Sequence, residues 1–173
     1  RPCVATLDAT RRGIDVDEHR LGAAIADRVG GCDIGVRNGD DFIALADAGP
    51  ELPSGGYLVI AVPAVVVPPN TLRLPLAVNG LQNGAPDGLA LVDTVTKTVL
   101  DALSYEGKVT AANIPDFASP PSLVEGVELA TATADSSSSE RTLCRSPNGS
   151  DTDQAATDWI ICATPTPGAA NAP

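Results

Sequence analysis

The stretch Glu140–Asn171, ERTLCRSPNGSDTDQAATDWIICATPTPGAAN, decides how this chain is read. It holds two of the four cysteines, the only tryptophan, and a Thr-Pro-Thr-Pro-Gly run that stops whatever strand precedes it. Between the cysteines lies an Asn/Asp/Gly-rich turn, Asn148 to Asp153, followed by Asp158-Trp159. An apolar run such as Trp159–Cys162 between turn signals is the mark of a short strand. Four cysteines permit three pairings, and spacing alone does not choose among them. We favour Cys144–Cys162 with Cys3–Cys32, because each pair falls within its own compact segment. Metal ligation is the rival reading. It lacks a CxxC pair, and the single histidine, His19, has no partner at ligand spacing.

The same turn carries two further readings. Asp151, Asp153 and Asp158 resemble the oxygen donors of a calcium loop, but no acidic residue closes the loop as an EF-hand requires. Asx turns, with side chains bonded to nearby backbone, are the simpler account. No other cofactor is indicated. Asn148-Gly149-Ser150 is also an N-glycosylation sequon, relevant only in a eukaryotic secretory pathway.

Working outward, the rest of the chain is rich in turns and poor in rings. Of 173 residues, sixteen are Gly and fifteen Pro, and the aromatics are Phe42, Tyr57, Tyr105, Phe117 and Trp159. The core must be aliphatic, with Trp159 as its singular anchor. Short Val/Ile/Leu/Thr runs between turns predict an all-β fold. Tyr57–Val62 is the strongest strand, with both faces buried, and Val65–Val67 extends it past Pro63. Phe42–Ala46 is a shorter strand, and Leu72–Val78 is an edge strand because of Pro75. Gly88–Val92 and Thr98–Ser104 form the clearest hairpin. Leu123–Ala132 alternates as a strand would. In residues 1–37, Asp15–Val29 has the caps and spacing of a short helix, with Leu21, Ala24, Ile25 and Arg28 at helical intervals.

Charge excludes some partners. The net charge is −11, which opposes binding to nucleic acid and to anionic membranes. Residues 1–37 are neutral, with six Arg against six acids; the remainder carries five basic groups against sixteen acidic ones. The longest apolar run, Tyr57–Val67, is interrupted by Pro63 and falls short of the ~20 residues that span a bilayer. The chain has no methionine, even at position 1, which suggests a product processed after export. With its even cysteine count, this predicts an extracellular or cell-surface location.

Three motifs in order resemble the lamin-tail domains of bacterial secreted proteins. LPSGGYLVI (Leu52–Ile60) is similar to the family's Pro-x-Gly-Gly-Tyr strand start. NGAPDGLALVDTVTKTVLDALSYEG (Asn83–Gly107) is similar to its hairpin. LCRSPNGSDTDQAATDWIICATPTPGAAN (Leu143–Asn171) is similar to its closing segment. The resemblance covers about residues 38–172 and implies an immunoglobulin-like β-sandwich with Trp159 packed in the core. Residues 1–37 match nothing in the family pattern and stand as an N-terminal arm, leaving 38–173 as the sandwich.

No catalytic pattern emerges. A nucleophile–histidine arrangement would have to use His19, which lies in the arm. Aromatic platforms for sugars are nearly absent, and no phosphate-cradling glycine motif occurs. The expectation is a non-enzymatic extracellular structural or protein-interaction module, with other proteins or further copies of itself as partners. One alternative is the subunit of a self-assembling extracellular fibre or pilus-like filament. Its assembly strand would be Tyr57, Val59, Ile60, Val62, Val65, Val66 and Val67. A second alternative is an accessory domain of a larger secreted hydrolase or nuclease.

Overall fold

The computed structural model describes residues 4–8, 21–27, 40–44, 55–76, 85–93, 96–114, 116–133 and 142–172. They form nine strands and one helical turn: β1 (Val4–Asp8), β2 (Leu21–Asp27), β3 (Asp40–Ala44), β4 (Tyr57–Ala61), β5 (Leu72–Pro75), β6 (Asp87–Asp93), β7 (Thr98–Tyr105), β8 (Thr142–Arg145), α1 (Ala155–Asp158) and β9 (Trp159–Cys162). The architecture is all-β, in three small sheets ordered β1-β4-β5, β3-β2-β6-β7 and β8-β9.

β4 is the middle of the first sheet. It pairs antiparallel with β1 and parallel with β5. Leu58 to Ala61 are all buried, which is why this strand reads as an unbroken apolar run instead of alternating. Both backbone edges of Tyr57–Ala61 are filled, so the segment weighed as an assembly strand is an interior strand. Val65–Val67 does not extend it; the chain turns at Pro63-Ala64 and leaves the sheet. Val62 and Val65 are buried there, whereas Val66 is 86% exposed. The Arg73 guanidinium, on β5, donates to the carbonyls of Val62 and Val65 and so satisfies a loop that has no ladder of its own. β5 is an outer strand and ends at the exposed Pro75, which offers no N–H to a neighbour.

The second sheet is built on the β6–β7 hairpin, with a register shift at Leu91/Val92. On the other side of β6 lies β2, antiparallel in register from Leu21↔Asp93 to Asp27↔Asp87, and β3 pairs with β2 beyond it. Leu21–Asp27 is therefore a strand, which corrects the expected helix over Asp15–Val29. Leu21, Ala24 and Ile25 satisfy helical spacing, but Leu21, Ala23 and Ile25 satisfy a period of two equally well, and two flanking strands decide the matter. Residues 15–20 and 28–29 lie outside the described residues. The first 37 residues thus contribute strands to two sheets otherwise made of later sequence.

Leu123–Ala132 is not a strand, despite its alternation. Gly126 takes φ +51, which breaks the extended path midway. The segment is tied instead by single bonds: Leu123 N–H to the Val109 carbonyl, and Ala112 N–H to the Pro121 carbonyl. Gly88 on β6 lets it come close, since a Cβ there would lie 2.9 Å from Leu123 Cδ1.

The buried apolar residues among those described fall into three clusters. One centres on β4 with Leu74 and Leu76, and a second joins Ala90, Val92, Ala102, Val109, Ile114 and Leu123. The third, of Leu103, Leu129 and Ala155, is flanked by the partly buried Tyr105, Leu143 and Trp159. Trp159 thus anchors the smallest cluster from its rim, and the two larger ones are almost wholly aliphatic.

Candidate functional site

The densest chemistry of the described residues lies where the β8–β9 hairpin meets β7. Cys144 and Cys162 are joined by a disulfide across this hairpin, 18 residues apart in sequence. Closing a loop of that size stabilises by about 3 kcal/mol. Cys3, Cys32 and His19 lie outside the described residues.

Arg145, the last residue of β8, is the hub. Its Nη2 lies 2.6 Å from Asp101 Oδ1 on β7 and 3.8 Å from Glu125 Oε2. Its Nη1 lies 3.3 Å from Asp151 Oδ2 in the turn after β8. The guanidinium carbon sits 5.0 Å from the centre of the Trp159 ring, a cation–π distance. The Arg145 and Glu125 side chains are only 11% and 12% exposed, whereas Asp101 is 36% exposed and more open to water.

Glu125 reaches the same place from the 123–129 segment. Its Oε1 accepts the Ala102 N–H of β7 at 2.9 Å. Its Oε2 is buried and accepts no hydrogen bond. Burial pushes the Glu125 carboxyl up to about 7, with the Asp101 charge adding to that and the Ala102 bond and Arg145 opposing it. Asp101 is raised as well, first by burial, although Arg145 pulls the other way.

Asp158, at the end of α1, has a different role. Its Oδ2 accepts the N–H groups of Thr152 (2.7 Å) and Gln154 (3.3 Å), and its Oδ1 accepts the Thr152 hydroxyl (2.9 Å). Burial would raise this carboxyl, but those three bonds, together with Arg145, hold it below its ordinary range. Asp151 Oδ1 likewise accepts the Asp153 N–H at 3.1 Å. The Asp151 bond is a local turn of the Asx kind, whereas Asp158 reaches back to residues four and six positions earlier. Among the described residues, Glu125, Asp151 and Asp153 are the acids whose oxygens all come within 4.8 Å of one another. Asp158 is not in that set, and its oxygens are engaged by Thr152 and Gln154. Arg145 already supplies positive charge to Glu125 and Asp151, while Asp153 is exposed, and no metal is assigned to the set.

A second constellation fastens the chain's last residues. Asn148 Nδ2 donates to Tyr57 Oη at 3.3 Å, while Asn148 Oδ1 accepts the Asn171 N–H at 2.7 Å. Asn171 Nδ2 donates in turn to the Arg145 carbonyl at 3.0 Å. Asn148 is thus a clamp that ties the hairpin to β4, and Asn171 fastens the chain's last residues to it. Beside Tyr57 lies an open cleft of 220 Å³, lined by Pro68, Pro69, Asn70, Leu72 and Gly168.

Sequence reasoning singled out Asp151, Asp153, Asp158 and Trp159 but missed Arg145, Asp101, Glu125, Asn148 and Asn171 as a set. One signal was present. Arg145 is among five basic residues facing sixteen acids beyond position 37, so it had to gather carboxylates. No protein-family model matches the chain, and no curated protein or solved structure matches it.

Proposed function

We propose that this chain is a non-enzymatic extracellular or cell-surface module, an immunoglobulin-like sandwich of the lamin-tail type, serving in structure or in binding to other proteins or to copies of itself. The observation that carries the reading is how the polar residues of the C-terminal hairpin are used. Asp158, Asn148, Asn171 and Arg145 direct their hydrogen bonds and charges at the fold itself. Such a framework suits a surface that binds by shape, because a reactive site needs polar groups held for a substrate. The Cys144–Cys162 disulfide is compatible with an oxidising compartment. No helix among the described residues is long and apolar enough to cross a membrane.

Cross-linking of the native protein in its source culture, read by mass spectrometry, tests this. Cross-links from the folded chain to another extracellular protein, or to itself, support the module. Filaments in electron micrographs of the same material narrow it to a fibre subunit. Free, alkylatable thiols at Cys144 and Cys162 in native material overturn it. So does turnover of ester, phosphodiester or glycoside probes by the purified, disulfide-intact chain.

A further inference from the structure

The seam between β7 and the β8–β9 hairpin gathers more negative charge than its one arginine can balance. Facing Glu125 are Asp101 from β7, Arg145 from β8, and Asp151 and Asp153 from the turn after β8. Asp158 at the end of α1 lies close enough to feel Arg145 but is engaged by Thr152 and Gln154. On Glu125's own segment, Glu128 is paired with Lys108. Arg145 is committed to Asp101 and Asp151, its two short contacts.

The two oxygens of Glu125 are not equivalent. One caps the Ala102 N–H; the other is buried with no donor. A buried carboxylate oxygen without a donor is costly. A proton removes the cost, because Glu125 then becomes a donor itself, and the Asp101 carboxyl is within reach to accept. The same proton converts a repulsion between two acids into a hydrogen bond.

Glu125 belongs mechanically to the hairpin. Ala155 N–H bonds to the Glu125 carbonyl at 3.2 Å, Ala156 N–H to the Val127 carbonyl at 2.9 Å, and Val127 N–H to Gln154 Oε1 at 3.0 Å. From Glu125 onward the segment is therefore bonded to α1, while Leu123 stays bonded to Val109. Among the described residues β7 is the outermost strand of its sheet, so the Ala102 N–H that Glu125 covers is an edge group.

We propose that this seam is a proton-controlled latch: a proton held between Glu125 and Asp101 keeps the hairpin closed on β7, and its loss opens the seam and uncovers the β7 edge at Ala102. Glu125 is raised from 4.5 to about 7, which fixes the direction and the window. Below 4.5 the carboxyl is protonated whether the seam is open or closed, and the latch is at full strength. Between 4.5 and about 7 the open form ionises first and closure weakens. Above about 7 the closed seam would have to carry the charge. The latch holds or fails independently of the interaction role proposed above.

Amide hydrogen exchange on the disulfide-intact chain, at pH 5 and pH 8.5 and corrected for intrinsic rates, tests it. The protection of Ala102 is expected to fall by about tenfold or more at the higher pH, while the amides bridging β8 and β9 keep theirs. In Glu125→Gln the pH dependence of Ala102 should vanish. Equal protection of Ala102 at both pH values overturns the latch. So does an equal fall in Glu125→Gln, or a uniform fall across all amides. Should that variant not fold, a carbon-13 titration of the Glu125 carboxyl in the parent decides: a midpoint near 7 supports the latch and one near 4.5 overturns it.

Discussion

The β4 region and the C-terminal hairpin are held by opposite means. Around β4, Val59 and Ile60 are fully enclosed among Leu58, Leu74 and Leu76, and removal of apolar surface from water stabilises the packing. In the hairpin the apolar cluster is small, and a disulfide, an arginine hub and a buried aspartate supply what the core does not. Burial is tolerant of sequence, since any aliphatic of the right size serves. A polar framework is not, because each donor needs its own acceptor at a set place. The first region therefore makes a body, and the second makes a shape that depends on particular residues.

Four variants would break or sharpen this contrast. The largest effect is expected for Ile60→Ala, which should cost about 4 kcal/mol by urea unfolding, from lost transfer energy plus a cavity. A loss below about 1 kcal/mol would mean that β4 is not the body of the domain. Next, Cys144→Ala with Cys162→Ala should cost about 3 kcal/mol, measured the same way. Asp158→Ala should cost about 2 kcal/mol at neutral pH, because three donors lose one acceptor. Asp158 is held below its ordinary range, so its contribution is present above that range and lost as pH falls through the lowered value. Thermal melts of parent and variant should converge in acid; a gap that persists there would make the loss one of packing. The smallest effect is expected for Val66→Ser, at 86% exposure, which should change stability by less than about 0.5 kcal/mol.

The same contrast explains what could be read in advance. β4, β6 and β7 were legible because burial writes itself into consecutive residues, as a continuous run or as an alternation. β5 at a sheet edge followed from Pro75. β2 was misread because four of the seven residues of Leu21–Asp27 are Gly or Ala, and Leu21 and Ile25 are spaced to suit either period. The 123–132 segment was misread because a single positive φ at Gly126 undoes a regular pattern. In the hairpin, composition foretold a turn and a disulfide but not the partners. Asp101 lies 44 residues from Arg145, and Tyr57 lies 91 from Asn148. Such pairs leave no local trace, and only the fold brings them together.

The Asn148 clamp has a consequence for how the chain would be handled in a secretory pathway. A carbohydrate is attached through the same Nδ2 atom that donates to Tyr57 in the closed fold. An oligosaccharide there would separate Tyr57 from the turn and loosen the grip on Asn171. Occupied sequons would thus mark molecules sugar-tagged before their final residues docked, and empty ones would mark those that closed first.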